Sequence, residues 1–245
     1  SNPIWMVVNT MTVSLVTNCD FAAGSIVTIS GLTGSDTAGG SVTVSSDFAG
    51  SGDWDQAEGN LTMVLASRMT VNQTYVVSFN LTNPRGEQES PSVSVGGTVE
   101  GGSFDADVVT RGMTKVNEYR LGVGNGSQPL KVIEPIFTVL QIEQSNPIWM
   151  VVNTMTVSLV TNCDFATGSI ITISGLTGSA SASTTSLTVD SDFAASGDWD
   201  QGDGNLTVVL TQTMFVNETY VVYFNLTNPR ACLLYTSDAA DDSLR

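Results

Sequence analysis

Apolar and polar residues alternate along most of this chain with a period of two. In MTVSLVT, Met11, Val13 and Leu15 share one face, and Thr12 and Ser14 share the other. SIVTIS sets Val27 with Ile29, SVTVSS sets Val42 with Val44, and NLTMVLA sets Leu61, Met63 and Leu65 together. TYVVSFNLT turns Tyr75, Val77, Phe79 and Leu81 one way, with Ser78, Asn80 and Thr82 the other. Successive side chains of a strand point to opposite faces, so each run predicts a strand buried on one side. Clusters of small and polar residues, such as GLTGSDTAGG, separate the runs and mark turns. Richness in Val, Thr and Ser suits a pleated surface, and no amphipathic helix is evident. Residues 4–95 hold about seven such strands, the count of an immunoglobulin-like β-sandwich.

The pattern then repeats. SNPIWMVVNTMTVSLVTNCDFA begins at Ser1 and returns unchanged at Ser145, a period of 144 residues. A unit of that length buries roughly 68–70% of its extended surface, enough for a core of its own. The predicted fold is therefore all-β: tandem immunoglobulin-like β-sandwich repeats with extra linking strands. The first sandwich is expected over 1–95 and a truncated second over 145–230. Between them, 96–144 opens on a glycine-rich hinge, GGTVEGGS, and offers ADVVT, KVNEYRLGV and LKVIEPIFTVLQIE as linking strands. IFTVLQIEQSNPIWMVV crosses the repeat boundary with only a short polar break, which places a strand there to pair outside its own unit. Ser1 aligns with the interior Ser145, so the chain is expected to be a piece of a longer array, and the lack of a secretory leader at its start carries no weight.

Charge narrows the function. Twenty-four acidic residues stand against 8 Lys and Arg, for a net charge of −16. Nucleic acid demands a basic face, so it is not an expected partner. No apolar run reaches bilayer length, so no membrane insertion is expected in this segment. Histidine is absent, which removes Ser-His and Cys-His pairs. GVGNGS at 122–127 lacks the Lys-Ser/Thr ending of a phosphate loop. An enzyme is not expected. Cys19, its copy Cys163 and Cys232 give one thiol per repeat and no framework within a unit. Buried thiols are the expectation, with a bond between units as the alternative.

Two kinds of candidate site remain. Asn-x-Ser/Thr occurs at Asn60, Asn72, Asn80, Asn125, Asn205, Asn217 and Asn225, never with proline in the middle. Asn60 and Asn80 are predicted to point away from the core and Asn72 to lie in a turn, where an N-linked glycan has room. GDWDQAEGN and GDWDQGDGN form acidic loops with Asp53, Asp55 and Glu58 in one copy and Asp198, Asp200 and Asp203 in the other. Oxygen ligands at alternate positions suit calcium, although the EF-hand spacing is missing. The alternative is a solvated acidic turn with Trp54 and Trp199 tucked against the sandwich.

Tandem β-units that each contact their neighbours build one-dimensional arrays, and a boundary strand with an open edge to join extends them. The expected partner is thus another copy of the chain, in a filament. The phrases VSLVTNCDFAAGSIVTISGLTGS and YVVSFNLTNP resemble repetitive extracellular β-sandwich fibril proteins of algal, protist or environmental-sample origin. That resemblance implies an extracellular or cell-surface fibre assembled by strand exchange. A rival expectation is a cell-surface adhesin or carbohydrate-binding repeat with calcium-stabilised loops, in which Trp54 offers the contact. After NLTNPR the two copies part, and CLLYTSDAADD resembles a translated sequencing adapter, which implies a non-native tail over 231–245.

Overall fold

The computed structural model describes residues 2–100 and 105–230, and the tail 231–245 with Cys232 lies outside them. Among the described residues there are fifteen strands and no helix. The chain divides into two compact units, Ser1–Ile136 with Asn162–Asp164, and Phe137–Thr161 with Phe165–Arg245.

The first unit contains β1 (Val8–Val16), β2 (Ile26–Ser30), β3 (Gly40–Ser45), β4 (Ser51–Asp55), β5 (Asn60–Val64), β6 (Thr74–Thr82), β7 (Ser94–Val99) and β8 (Ala106–Gly112). They form one antiparallel sheet in the order β1-β6-β3-β4-β5-β2-β7-β8. β3 carries the sheet around a corner. Its end, Val44–Ser45, pairs with β6, while Gly40–Thr43 pair with β4; strands that change partners in this way build sandwich corners. β2 returns to lie beside β5, a Greek-key path.

Alternation does the folding work. β1 reads exposed and buried in strict turn, and Met11, Val13 and Leu15 are its inward side chains. Val27, Ile29, Leu61, Met63, Val77, Phe79 and Leu81 join them from β2, β5 and β6. Outward positions pair across strands instead: Thr10 donates to the Asn80 carbonyl oxygen at 2.8 Å, and the Thr12 and Ser78 hydroxyls meet at 3.3 Å. The core centres on Trp54, whose indole N–H donates to the Thr37 carbonyl at 2.9 Å. That bond satisfies the one polar atom the ring would otherwise strand in an apolar interior.

The second unit contains β9 (Phe137–Gln144), β10 (Val152–Thr161), β11 (Ile170–Ile173), β12 (Thr184–Asp190), β13 (Ser196–Asp200), β14 (Asn205–Val209) and β15 (Tyr220–Thr227), in the order β11-β14-β13-β12-β15-β10-β9. From β10 to β15 it copies β1 to β6. Trp199, Phe193, Leu206 and Val208 occupy its core.

The chain departs from the sequence reading in four places. The acidic stretch at 52–55 is strand β4, with Gly52 and Trp54 inward. The predicted hinge begins inside β7, where Gly97 pairs with Val27. Gly97 has φ +154°, and a Cβ there would lie 2.0 Å from the Ile26 carbonyl oxygen, so the ladder itself requires glycine. KVNEYRLGV forms no strand: Arg120 and Val123 close a local turn, with Leu121 at φ 50°. LKVIEPIFTVLQIE splits at Pro135, so that Val132 and Ile133 make isolated bridges in the first unit while Phe137–Gln144 become β9 of the second.

Candidate functional site: the lent strand and the outward face

β9 is read from the first repeat but completes the sheet of the second. It pairs antiparallel with β10 from Met155↔Gln144 through Val157↔Ile142 and Leu159↔Leu140 to Thr161↔Phe137, with a bulge at Val160/Thr161. Two contacts fix this register. At one end the Phe137 ring tilts against Phe165, centroids 5.4 Å apart, and packs on the second core. At the other end Asn153, only 2% exposed, donates from Nδ2 to the Gln144 side-chain oxygen and to Asn228 Oδ1, both at 2.8 Å. Asn228 in turn donates to the Asn146 and Ile148 carbonyls at 2.7 and 2.8 Å. A buried amide is costly unless bonded, so this network rigidly ties the boundary segment to β10 and β15.

The equivalent strand of the first unit stands differently. β1 pairs with β6 over nine residues, Val8↔Thr82 to Val16↔Thr74, and among the described residues carries no strand on its other edge. Its network of Asn9, Asn83 and Asn2 matches that of Asn153, Asn228 and Asn146: Asn9 donates to Asn83 Oδ1 at 3.0 Å, and Asn83 to the Asn2 and Ile4 carbonyls at 2.6 and 2.7 Å.

Five sequon asparagines, Asn72, Asn80, Asn125, Asn217 and Asn225, are exposed, and Asn60 and Asn205 are half-buried. Asn72, Asn125 and Asn217 sit in turns at φ 60°, 57° and 61°, a conformation asparagine tolerates better than most residues. Asn80 and Asn225 use Oδ1 to accept from Thr10 and Thr154. A glycan attaches at Nδ2, so this hydrogen bond and a sugar are compatible.

The acidic residues serve turns. Asp53 and Asp55 face outward from β4, and Asp198 and Asp200 from β13. Asp55 Oδ1 accepts the Ala57 and Glu58 N–H groups at 2.9 and 3.2 Å, and Asp200 Oδ1 accepts those of Gly202 and Asp203 at 2.7 and 3.3 Å. Among the described residues, no three His, Cys, Asp or Glu side chains gather where a metal would be held, Glu58 and Asp203 included. Trp54 and Trp199 are 1% and 0% exposed, so neither is a surface platform for a sugar.

The two thiols are both free, and they differ. Cys163 is buried, and burial, helped by the negative charge of Asp164, pushes its pKa up to about 11. Cys19 is exposed, contrary to the expectation of a buried thiol in each copy. Beside it the Val71 N–H, and then the Arg68 guanidinium, hold the Asp20 carboxyl below its usual range. Among the described residues no helix is long and apolar enough to cross a membrane.

The signal for the lent strand was present in the apolar run across the boundary. The asparagine network was not, because Asn9 and Asn83 lie 74 residues apart and only the β1–β6 pairing brings them together. No protein-family model and no curated protein matches the chain.

Proposed function

We propose that this chain is a segment of an extracellular structural filament protein, N-glycosylated on its outward strands and turns, in which immunoglobulin-like β-sandwich repeats are joined by lending strands. Its role is architectural and its partner is another copy of itself. One observation carries the reading: a strand encoded before the repeat boundary forms the edge of the sheet encoded after it. An array built in this way cannot be cut between repeats without opening a sheet. Its tensile load passes through a backbone hydrogen-bond ladder and a buried core, not through a flexible linker. The exposed sequons and the net charge of −16 fit a soluble fibre, since glycans and like charges discourage lateral pairing of sheets.

Electron microscopy of the native material, combined with glycopeptide mass spectrometry, tests this. Regular filaments with glycan mass on Asn72, Asn80, Asn125, Asn217 or Asn225 are expected. Isolated monomers without modification would overturn both parts.

A further inference from the structure

We infer that the free edge of β1 is a preformed receptor for the Phe137–Gln144 segment of a second copy, seated in the register that β9 adopts on β10. This rests on the strand-lending reading and extends it from within a chain to between chains.

The first observation is a trench. β1 and β8 are the two outer strands of the first unit's sheet and do not pair with each other. Two grooves run along the free side of β1. One, of about 260 Å³, lies beside Thr10–Val13 and is walled by Val93, Met113 and Val116. The other, of about 610 Å³, lies beside Leu15–Cys19 and Phe21 and is walled by Val95, Val108 and Val109. Together they follow the strand along most of its length. An unpaired edge between apolar walls is the geometry in which an added strand gains both a ladder and side-chain pockets.

The second observation is the occupant. The same text, MTVSLVTNCDF, forms the partner of β9 in the second unit. Transferred by the repeat, that register sets Ile142 opposite Val13, Leu140 opposite Leu15 and Phe137 opposite Thr17. Residues directly opposite share a face, so Leu140 and Ile142 would point inward with Val13 and Leu15, into the trench. On β9 those two side chains are 65% and 50% exposed, although they lie opposite the buried Leu159 and Val157. The donor thus carries two inward apolar groups with little covering them, and the first unit offers apolar walls with nothing between. Phe137 would meet Phe21, the counterpart of Phe165, at the wall of the larger groove.

The third observation is a polar one. Asn153 Nδ2 donates to both Asn228 and Gln144. Its copy Asn9 is 1% exposed, and among the described residues its Nδ2 donates only to Asn83. The glutamine of an incoming strand would take the second hydrogen. Phe137 and Gln144 therefore mark the two ends of the register, and a strand slipped by one residue satisfies neither.

The test is titration of the full chain with a fluorescent peptide of residues 135–144, followed by hydrogen exchange. The protein is unchanged throughout, so misfolding cannot mimic the result. Saturable binding of one peptide per chain is expected, with slowed exchange over Val8–Val16. A peptide carrying Phe137→Ala should bind at least about tenfold more weakly, and one carrying Gln144→Leu several-fold more weakly. Absence of saturable binding, binding without protection of β1, or equal affinity of all three peptides would overturn the inference. Filaments whose β1 amides exchange freely would leave the filament reading standing and this inference refuted. Peptide binding to a chain whose native form is monomeric would do the reverse.

Discussion

Replacing Phe137 by alanine should weaken the second unit although the residue belongs to the first repeat's sequence. A fully buried Phe→Ala change costs about 3–5 kcal/mol. Phe137 is only half-buried, at the end of its strand, and its partner Phe165 is also half-buried. About 2 kcal/mol is a reasonable share, including the lost ring–ring contact. For a unit of this size that corresponds to a fall of roughly 8–16 °C in Tm. Native-state hydrogen exchange resolves where the loss falls. Protection of β10 and β15 amides should drop by roughly 30-fold, taking about 1.4 kcal/mol per factor of ten, while β1 and β6 amides keep theirs. An equal loss in both units, or one confined to β1 and β6, would refute the assignment of β9 to the second sheet.

Three further outcomes follow from the geometry. Asn153→Ala strips partners from Asn228, Gln144 and the Asn146 N–H, so it should cost about 2–4 kcal/mol in urea unfolding, and more than Asn9→Ala, which has no lent glutamine to lose. Alkylation at pH 8, followed by peptide mapping, should modify Cys19 well before Cys163, since the latter is buried with a pKa near 11 and holds almost no thiolate; equal rates would contradict the placement of these thiols. The Asp20 carboxyl is held low by Val71 and Arg68, so its contribution is complete above the ordinary carboxylate pKa of about 3.9 and fades as pH falls through the lower native value. Asp20→Asn should accordingly lower the urea midpoint of the first unit at pH 7, and the gap to the unaltered chain should close in strong acid.

The strands that face water on one side were readable because alternation is itself the record of that boundary. β1, β2, β5 and β6 follow the pattern of Met11, Val27, Leu61 and Phe79. β4 was hidden because only Gly52 and Trp54 face inward, and its outward residues are aspartates of the kind that also build turns. β7 was hidden behind Gly96 and Gly97, which read as a hinge until the approach of the Ile26 carbonyl shows why a side chain is forbidden. The segment 115–123 has strand-like letters but no ladder to join. At the site, the apolar text after Pro135 announced a strand and its position announced an unusual partner. Its register was not legible, because that depends on Phe165 and Asn153, which β10 brings within reach only once folded.

Strand lending is tested most directly by nuclear Overhauser contacts across β9 and β10 in the intact chain. Neighbouring Hα atoms come close at every second pair of an antiparallel ladder. Such contacts should therefore appear at alternate positions in the series Val157–Ile142, Ser158–Gln141 and Leu159–Leu140. Finding residues 137–144 without cross-strand contacts to 155–161, or paired instead within the first unit of their own chain, would contradict the account.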